Sequence, residues 1–237
     1  MRARLWHGTV AVLVAVGLAI QTGITVRAPG TPEANDVGTL AGTIGVARLV
    51  RMLSFFTIQS NILCGLVSLQ LAQFPDRDGR FWRVARLDAV VGITVTGIVY
   101  STVLARIHEP KGWEQVSTNI LFHYVVPIMM VLGWLFFGPR PRVDAHSIRW
   151  SLAWPLVWFA YTLAHGVTHW YPYPFVDVAS QGYARVLVNA LLVLAVLLGV
   201  ALVFRWGDRR LGPTPPVEVP AEPGPASVGR QRPYDVR

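Results

Sequence analysis

Six long stretches of this 237-residue chain contain no Asp, Glu, Lys or Arg: Leu5–Val26, Met52–Phe74, Ala89–Ala105, Gln115–Gly138, Trp150–Tyr171 and Val186–Phe204. A helix needs roughly 20 apolar residues to cross a hydrocarbon core about 30 Å thick. The chain is therefore expected to be all-α, a polytopic membrane protein with six transmembrane helices in one bundle. Charged residues make up only 14% of it, where a soluble domain carries about a quarter.

The basic residues set the expected orientation. Fifteen of the 21 Lys and Arg lie before the first span, in the second and fourth loops, or after the sixth span. The other three loops hold Arg27, Arg48, Arg51, Arg106, Lys111 and Arg185. Cytoplasmic loops are enriched in Lys and Arg, so both termini are expected inside a cell membrane, as an even span count also requires. The net charge of +8 then follows from topology and from attraction to anionic lipid head groups. A nucleic-acid partner is not expected, because the arginines are spread over loops without a binding motif.

The first span follows Arg2 and Arg4 as a signal peptide would. Its apolar run is longer than a usual signal core and no clear small-residue cleavage site follows, so a retained helix is expected. The single Cys64 lies within a span; it has no internal disulfide partner and reads as packing. Pro29, Gly30 and Pro32 open the longest outer loop, residues 27–48, and argue against a regular element at its start. Residues 1–206 read as the six-helix domain. Residues 207–237 carry seven prolines and too little apolar content for a core, so a disordered cytoplasmic tail is expected.

Polar side chains recur near the outer end of several spans. At 1.5 Å per residue, Thr57 lies about 9 Å in from Arg51, His123 about 12 Å in from Gln115, and His165 about 9 Å below Tyr171. Tyr100, Ser101 and Asn189 fall in the same layer. Thr57, Ser60 and Asn61 share a helix face by their i, i+3, i+4 spacing, as do His165, Thr168 and His169; Asn119 and His123 are i, i+4. In lipid such groups face protein or a cavity. One reading is hydrogen-bonded glue between helices; the others are chemical.

The first chemical reading is nucleophilic hydrolysis, with Thr57 activated by His123 as base. Asn61 or Asn119 would then donate to a developing oxyanion, and His165 and Thr168 would line the pocket or position His123. Trp170 and Tyr171 would sit at the outer interface. The chain has no GxSxG element, so a soluble serine-hydrolase arrangement is not supported. A metal on His165, His169 and His123 is a second reading, but no carboxylate in a span completes the set. Haem held by His123 and His165 is a third; paired haems would need His residues at two depths. The expectation is no metal and no cofactor.

Around these residues the chain resembles the androgen-induced, androgen-dependent family of membrane proteins and its bacterial six-helix relatives. The resemblance runs from the second span to the sixth. Its clearest blocks are Phe55-Phe56-Thr57-Ile58-Gln59, His123-Tyr124-Val125-Val126-Pro127, and His165-Gly166-Val167-Thr168 followed by Tyr173-Pro174-Phe175. Animal members are threonine hydrolases that cleave fatty acid esters of hydroxy fatty acids. The resemblance implies Thr57 as nucleophile and His123 as its catalytic partner, acting on a lipid ester among membrane lipids. The contrasting expectation is a non-catalytic membrane protein, either a lipid-binding scaffold or a transporter subunit. No inverted repeat supports a transporter.

Overall fold

The computed structural model describes residues 1–27 and 43–214. Among these residues there are helices and no strands: α1 (Arg2–Arg27), α2 (Val46–Ser54), α3 (Phe56–Gln73), α4 (Arg80–Thr102), α5 (Gly112–Ile120), α6 (Val126–Phe137), α7 (Ala145–Ser151), α8 (Ala153–His165) and α9 (Val178–Arg210). A π-helical turn, Leu121–Val125, joins α5 to α6.

Four helical stretches are long and apolar enough to cross a membrane: Arg2–Arg27, Arg80–Arg106, Gly112–Phe137 and Val178–Arg210. The α2–α3 pair makes a fifth if counted together across an 80° bend. The outer surface suits lipid, with Leu187, Val188, Leu191, Leu192, Leu202 and Val203 of α9 all exposed. The helix α4 is central. It packs against α3, α6, α7 and α9, and half of its apolar stretch is buried against 17% for α9.

Two expected spans differ in detail. Met52–Phe74 is broken at Phe55, which is extended at φ −68° and ψ 126°. Three backbone groups at the break find side-chain partners. Leu53 O accepts from Gln59 Nε2 at 2.9 Å, Ser54 O accepts from Trp158 Nε1 at 2.9 Å, and Thr57 N–H donates to the Tyr173 hydroxyl at 3.1 Å. Lipid offers no substitute for these partners. The bend also alters the depth count: Thr57 lies in the first turn of α3, and residues 51–54 of α2 add little rise along that helix.

Trp150–Tyr171 is also interrupted. Helices α7 and α8 meet at Leu152, whose φ of −75° and ψ of −18° keep the chain near helical. Pro155 has no N–H to offer the Ser151 carbonyl and crowds it. The helix then ends at His165, ahead of the expected limit at Tyr171.

The opposite end of the bundle is charged. Arg83 contacts Asp78 at 2.8 Å and Asp144 at 3.5 Å, and Arg142 contacts Asp78 at 3.1 Å. Arg80, Arg83 and Arg86 lie on the first turns of α4, where loop residues were expected. Buried Arg86 donates to Gln70 Oε1 at 3.0 Å. The expected boundary after residue 206 also moves, because α9 continues to Arg210. Buried Asp208 accepts from the N–H groups of Arg142 and Val143 at 2.7 and 2.8 Å, and Thr214 Oγ1 accepts from Arg140 N–H at 3.0 Å. These bonds fasten residues 207–214 to the segment after α6, so they do not belong to a free tail. Residues 215–237 of the expected tail, and 28–42 of the expected outer loop, lie outside the described residues.

Candidate active site

The His123 position is made by a proline. Pro127 has no N–H for the His123 carbonyl four residues earlier and its ring crowds that carbonyl. The helix widens to a π turn over Leu121–Val125, a feature frequent at functional sites. Gly97 of α4 permits this. A Cβ there would stand 3.2 Å from the His123 carbonyl oxygen and 3.3 Å from Pro127 Cβ, so only glycine lets α4 approach the break without a shift.

The widened turn aims the imidazole at the start of α3. His123 Nε2 lies 3.5 Å from Thr57 Oγ1. Its Nδ1 lies 3.1 Å from the Asn119 carbonyl oxygen. A carbonyl only accepts, so Nδ1 carries the proton, and in the neutral ring Nε2 presents its lone pair to Thr57. The Tyr100 ring stacks on the imidazole with centroids 3.8 Å apart, and the Tyr100 hydroxyl lies 3.0 Å from His108 Nδ1.

Thr57 is buried in the first turn of α3, where helical N–H groups are unsatisfied and the dipole is positive. Tyr173 reaches it from the segment between α8 and α9. The Tyr173 hydroxyl stands 3.1 Å from Thr57 N and 3.1 Å from Thr57 Oγ1. Thr57 N–H must donate to the tyrosine oxygen, which leaves the tyrosine O–H free to donate to Thr57 Oγ1 and the threonine O–H free to donate to His123. Rings hold Tyr173 in place: Phe175 stacks on it at 5.2 Å, and Phe55 and Trp158 lie at 5.5 and 6.0 Å.

Thr57, Tyr173 and Thr96 also border a cavity of about 190 Å³. The rest of its wall is mainly apolar side chains of α4, α8 and α9, including Val95, Val99, Phe159, Leu191 and Leu197. A dry cavity of roughly 150 Å³ already holds benzene. His123 does not line this cavity; its link to it is through Thr57.

The other expected site residues divide. Asn61 is fully buried, and its amide donates to the Thr57 carbonyl at 2.9 Å and the Phe122 carbonyl at 3.5 Å. Its donors tie α3 to the π turn and are not aimed into the cavity, contrary to an oxyanion role. Asn119 serves through its backbone carbonyl. Ser60 accepts from Thr96 Oγ1 at 3.4 Å and joins α3 to α4.

The third stripe forms only in part. With α8 ending at His165, Gly166–Thr168 is a 3₁₀ turn and His169 is left-handed at φ 55°. His165 Nδ1 and Thr168 Oγ1 meet at 3.2 Å, as the eclipsed i, i+3 geometry of a 3₁₀ turn allows. Thr168 is exposed, not inward. His165 lies against Tyr161 and Trp170 and does not border the cavity beside Thr57. Trp170 is buried; it packs on Phe55 and beneath the Arg51 guanidinium. Among the described residues no three His, Cys, Asp or Glu side chains come together as a metal site.

Sequence reasoning assigned Tyr173 no role. It lies beyond the fifth apolar stretch, and nothing in its spacing tells that its segment folds back onto α3. Comparison with protein-family models, curated proteins and solved structures finds no match.

Proposed function

We propose that this protein is an intramembrane hydrolase of lipid esters, with Thr57 as nucleophile and His123 as general base. The observation that carries the reading is the directed line from the Asn119 carbonyl through His123 to Thr57 Oγ1. The backbone carbonyl does here what an aspartate does in a Ser-His-Asp triad, holding the tautomer whose free nitrogen faces the nucleophile. The 3.5 Å separation lies in the long range catalytic pairs occupy before substrate tightens them. The family resemblance points to the same pair.

His123 Nε2 takes the Thr57 proton as Oγ1 attacks the ester carbonyl carbon. The tetrahedral intermediate collapses, the carbon–oxygen bond to the alcohol breaks, and His123 returns the proton to the leaving oxygen. Water, deprotonated by His123, then releases the acid and restores Thr57. The apolar cavity beside Thr57 suits an acyl chain. In this reading the chain crosses the cell membrane six times with both termini inside, α7 and α8 forming the remaining span.

A fluorophosphonate probe tests the chemistry in membranes holding the full chain. Labelling is expected in the unmutated protein and lost in Thr57→Ala. No labelling and no turnover of lipid esters by folded protein would favour the non-catalytic reading. Reporters fused after residues 77 and 111 are expected on opposite sides; matching sides would end the six-span arrangement.

A further inference from the structure

We infer that Tyr173 is a catalytic residue of the Thr57 site: its hydroxyl and the Thr57 backbone N–H together form the oxyanion hole. The inference rests on the hydrolase reading and adds the group that receives the charge.

An attacking Thr57 creates an alkoxide on the former carbonyl oxygen, and that oxygen needs donors waiting in a site water does not enter. Neither side-chain amide proposed from sequence for this task borders the cavity: Asn61 donates to two backbone carbonyls, and the Asn119 side chain lies beside the Tyr100 hydroxyl. Two donors remain beside the nucleophile. The Thr57 N–H belongs to the first turn of α3, where the helix dipole adds partial positive charge. The nucleophile's own N–H serves this purpose in serine proteases. The second donor is the Tyr173 O–H, 3.1 Å from both Thr57 N and Thr57 Oγ1. Thr57 and Tyr173 both border the apolar cavity, so a substrate seated there meets the nucleophile and both donors from one side.

The hydrogen bonds rearrange without net proton transfer from tyrosine. Before attack, Thr57 N–H donates to the tyrosine oxygen and the tyrosine O–H donates to Thr57 Oγ1. As Oγ1 bonds to the carbonyl carbon and its proton passes to His123 Nε2, the carbonyl π pair moves onto oxygen. The Tyr173 O–H rotates to that oxygen. The Thr57 N–H, fixed in the helix backbone, shares its hydrogen between the tyrosine oxygen and that oxygen. The tyrosine O–H rotates back when the carbonyl reforms. Stacked Phe175 and the edges of Phe55 and Trp158 hold the tyrosine ring throughout.

The test is steady-state hydrolysis of a short-chain p-nitrophenyl ester by the full chain in detergent, with Thr57→Ala as the reference for zero. Tyr173→Phe is expected to lower kcat by roughly 100- to 1,000-fold, the loss seen when one oxyanion donor is removed, with KM little changed and thermal stability somewhat lowered, because the buried Thr57 N–H loses its acceptor. Retention of kcat within threefold in a folded Tyr173→Phe protein overturns the inference while leaving the hydrolase reading intact. Absence of Thr57-dependent turnover in the unmutated protein overturns both. Should Tyr173→Phe not fold, fluorinated tyrosines of graded acidity at position 173 replace it. The expected result is a kcat that varies systematically with phenol acidity; a kcat indifferent to acidity overturns the inference, because ring packing alone would not respond.

Discussion

The two ends of this bundle solve the same problem with different chemistry. At the end holding Asp78, Arg83, Arg142 and Asp144, loops are joined by ion pairs. At the end holding Thr57, His123 and Tyr173, one exposed ion pair joins Arg27 to Glu114 at 2.6 Å, and the connections within the cluster itself are hydroxyls, an imidazole, backbone carbonyls and stacked rings. The first arrangement stabilises by charge and tolerates water. The second keeps polar groups in a largely apolar setting, with hydrogen-bond partners that can change hands during a reaction. The comparison predicts that substitutions in the Thr57 cluster act on chemistry and substitutions at the charged end act on stability.

The largest expected effect is in the Thr57 cluster. Thr57→Ala and His123→Ala should each lower ester turnover by at least roughly a thousandfold, and the double variant should be little worse, because the two act as a unit. Additive losses in a double-variant cycle would break that unit. Next is Gly97→Val, which forces a branched side chain against the His123 carbonyl and Pro127. A displacement of the imidazole by about 1 Å is expected to cost on the order of 100-fold in kcat, with Gly97→Ala milder; unchanged kcat in Gly97→Val would show that the π turn does not place His123.

At the charged end, Asp208→Ala should leave turnover intact and lower unfolding stability in detergent by about 1–3 kcal/mol, since the N–H groups of Arg142 and Val143 lose their acceptor. A catalytic defect without a stability loss would contradict the division between the ends. A smaller effect concerns pH. The hydrogen bond from Arg83 holds the Asp78 carboxyl well below its ordinary value, and the Ser147 backbone N–H lowers that of Asp144. Groups depressed in this way contribute stability that is present above the unfolded pKa of about 4 and lost as pH falls through the folded value. Thermal stability should therefore decline below about pH 4, and Asp78→Asn should flatten the decline. The smallest effect is expected for Thr168→Ala, which removes an exposed hydroxyl. Stability should change by less than about 0.5 kcal/mol and turnover should not change; a large loss of activity would return the third polar stripe to the site.

Thr57 and His123 were legible because their stretches are apolar and polar residues stand out there. The helix faces were less legible. The i, i+3, i+4 rule assumes that a helix continues, which it does through Thr57, Ser60 and Asn61 on α3. Beyond His165, where α8 stops, a 3₁₀ turn still brings Thr168 to His165, but the left-handed His169 leaves the face. The break at Phe55 was also hidden: no Pro or Gly adjoins it, and the side chains that satisfy backbone groups there include Trp158 and Tyr173, more than 100 residues away.

By itself the sequence determined an all-helical chain with long lipid-compatible stretches, because uncharged runs of this length have few other ways to satisfy their backbone. It also marked Thr57 and His123 as polar groups in apolar runs. Only the tertiary structure decided which nitrogen of His123 faces Thr57, that Asn61 is occupied elsewhere, and that Tyr173 completes the cluster. Hydropathy and periodicity report what one element does along its own axis. Hydrogen-bond direction and a 3.1 Å approach depend on how α3, the π turn and the segment after α8 meet, and that is set by packing between residues far apart in the chain.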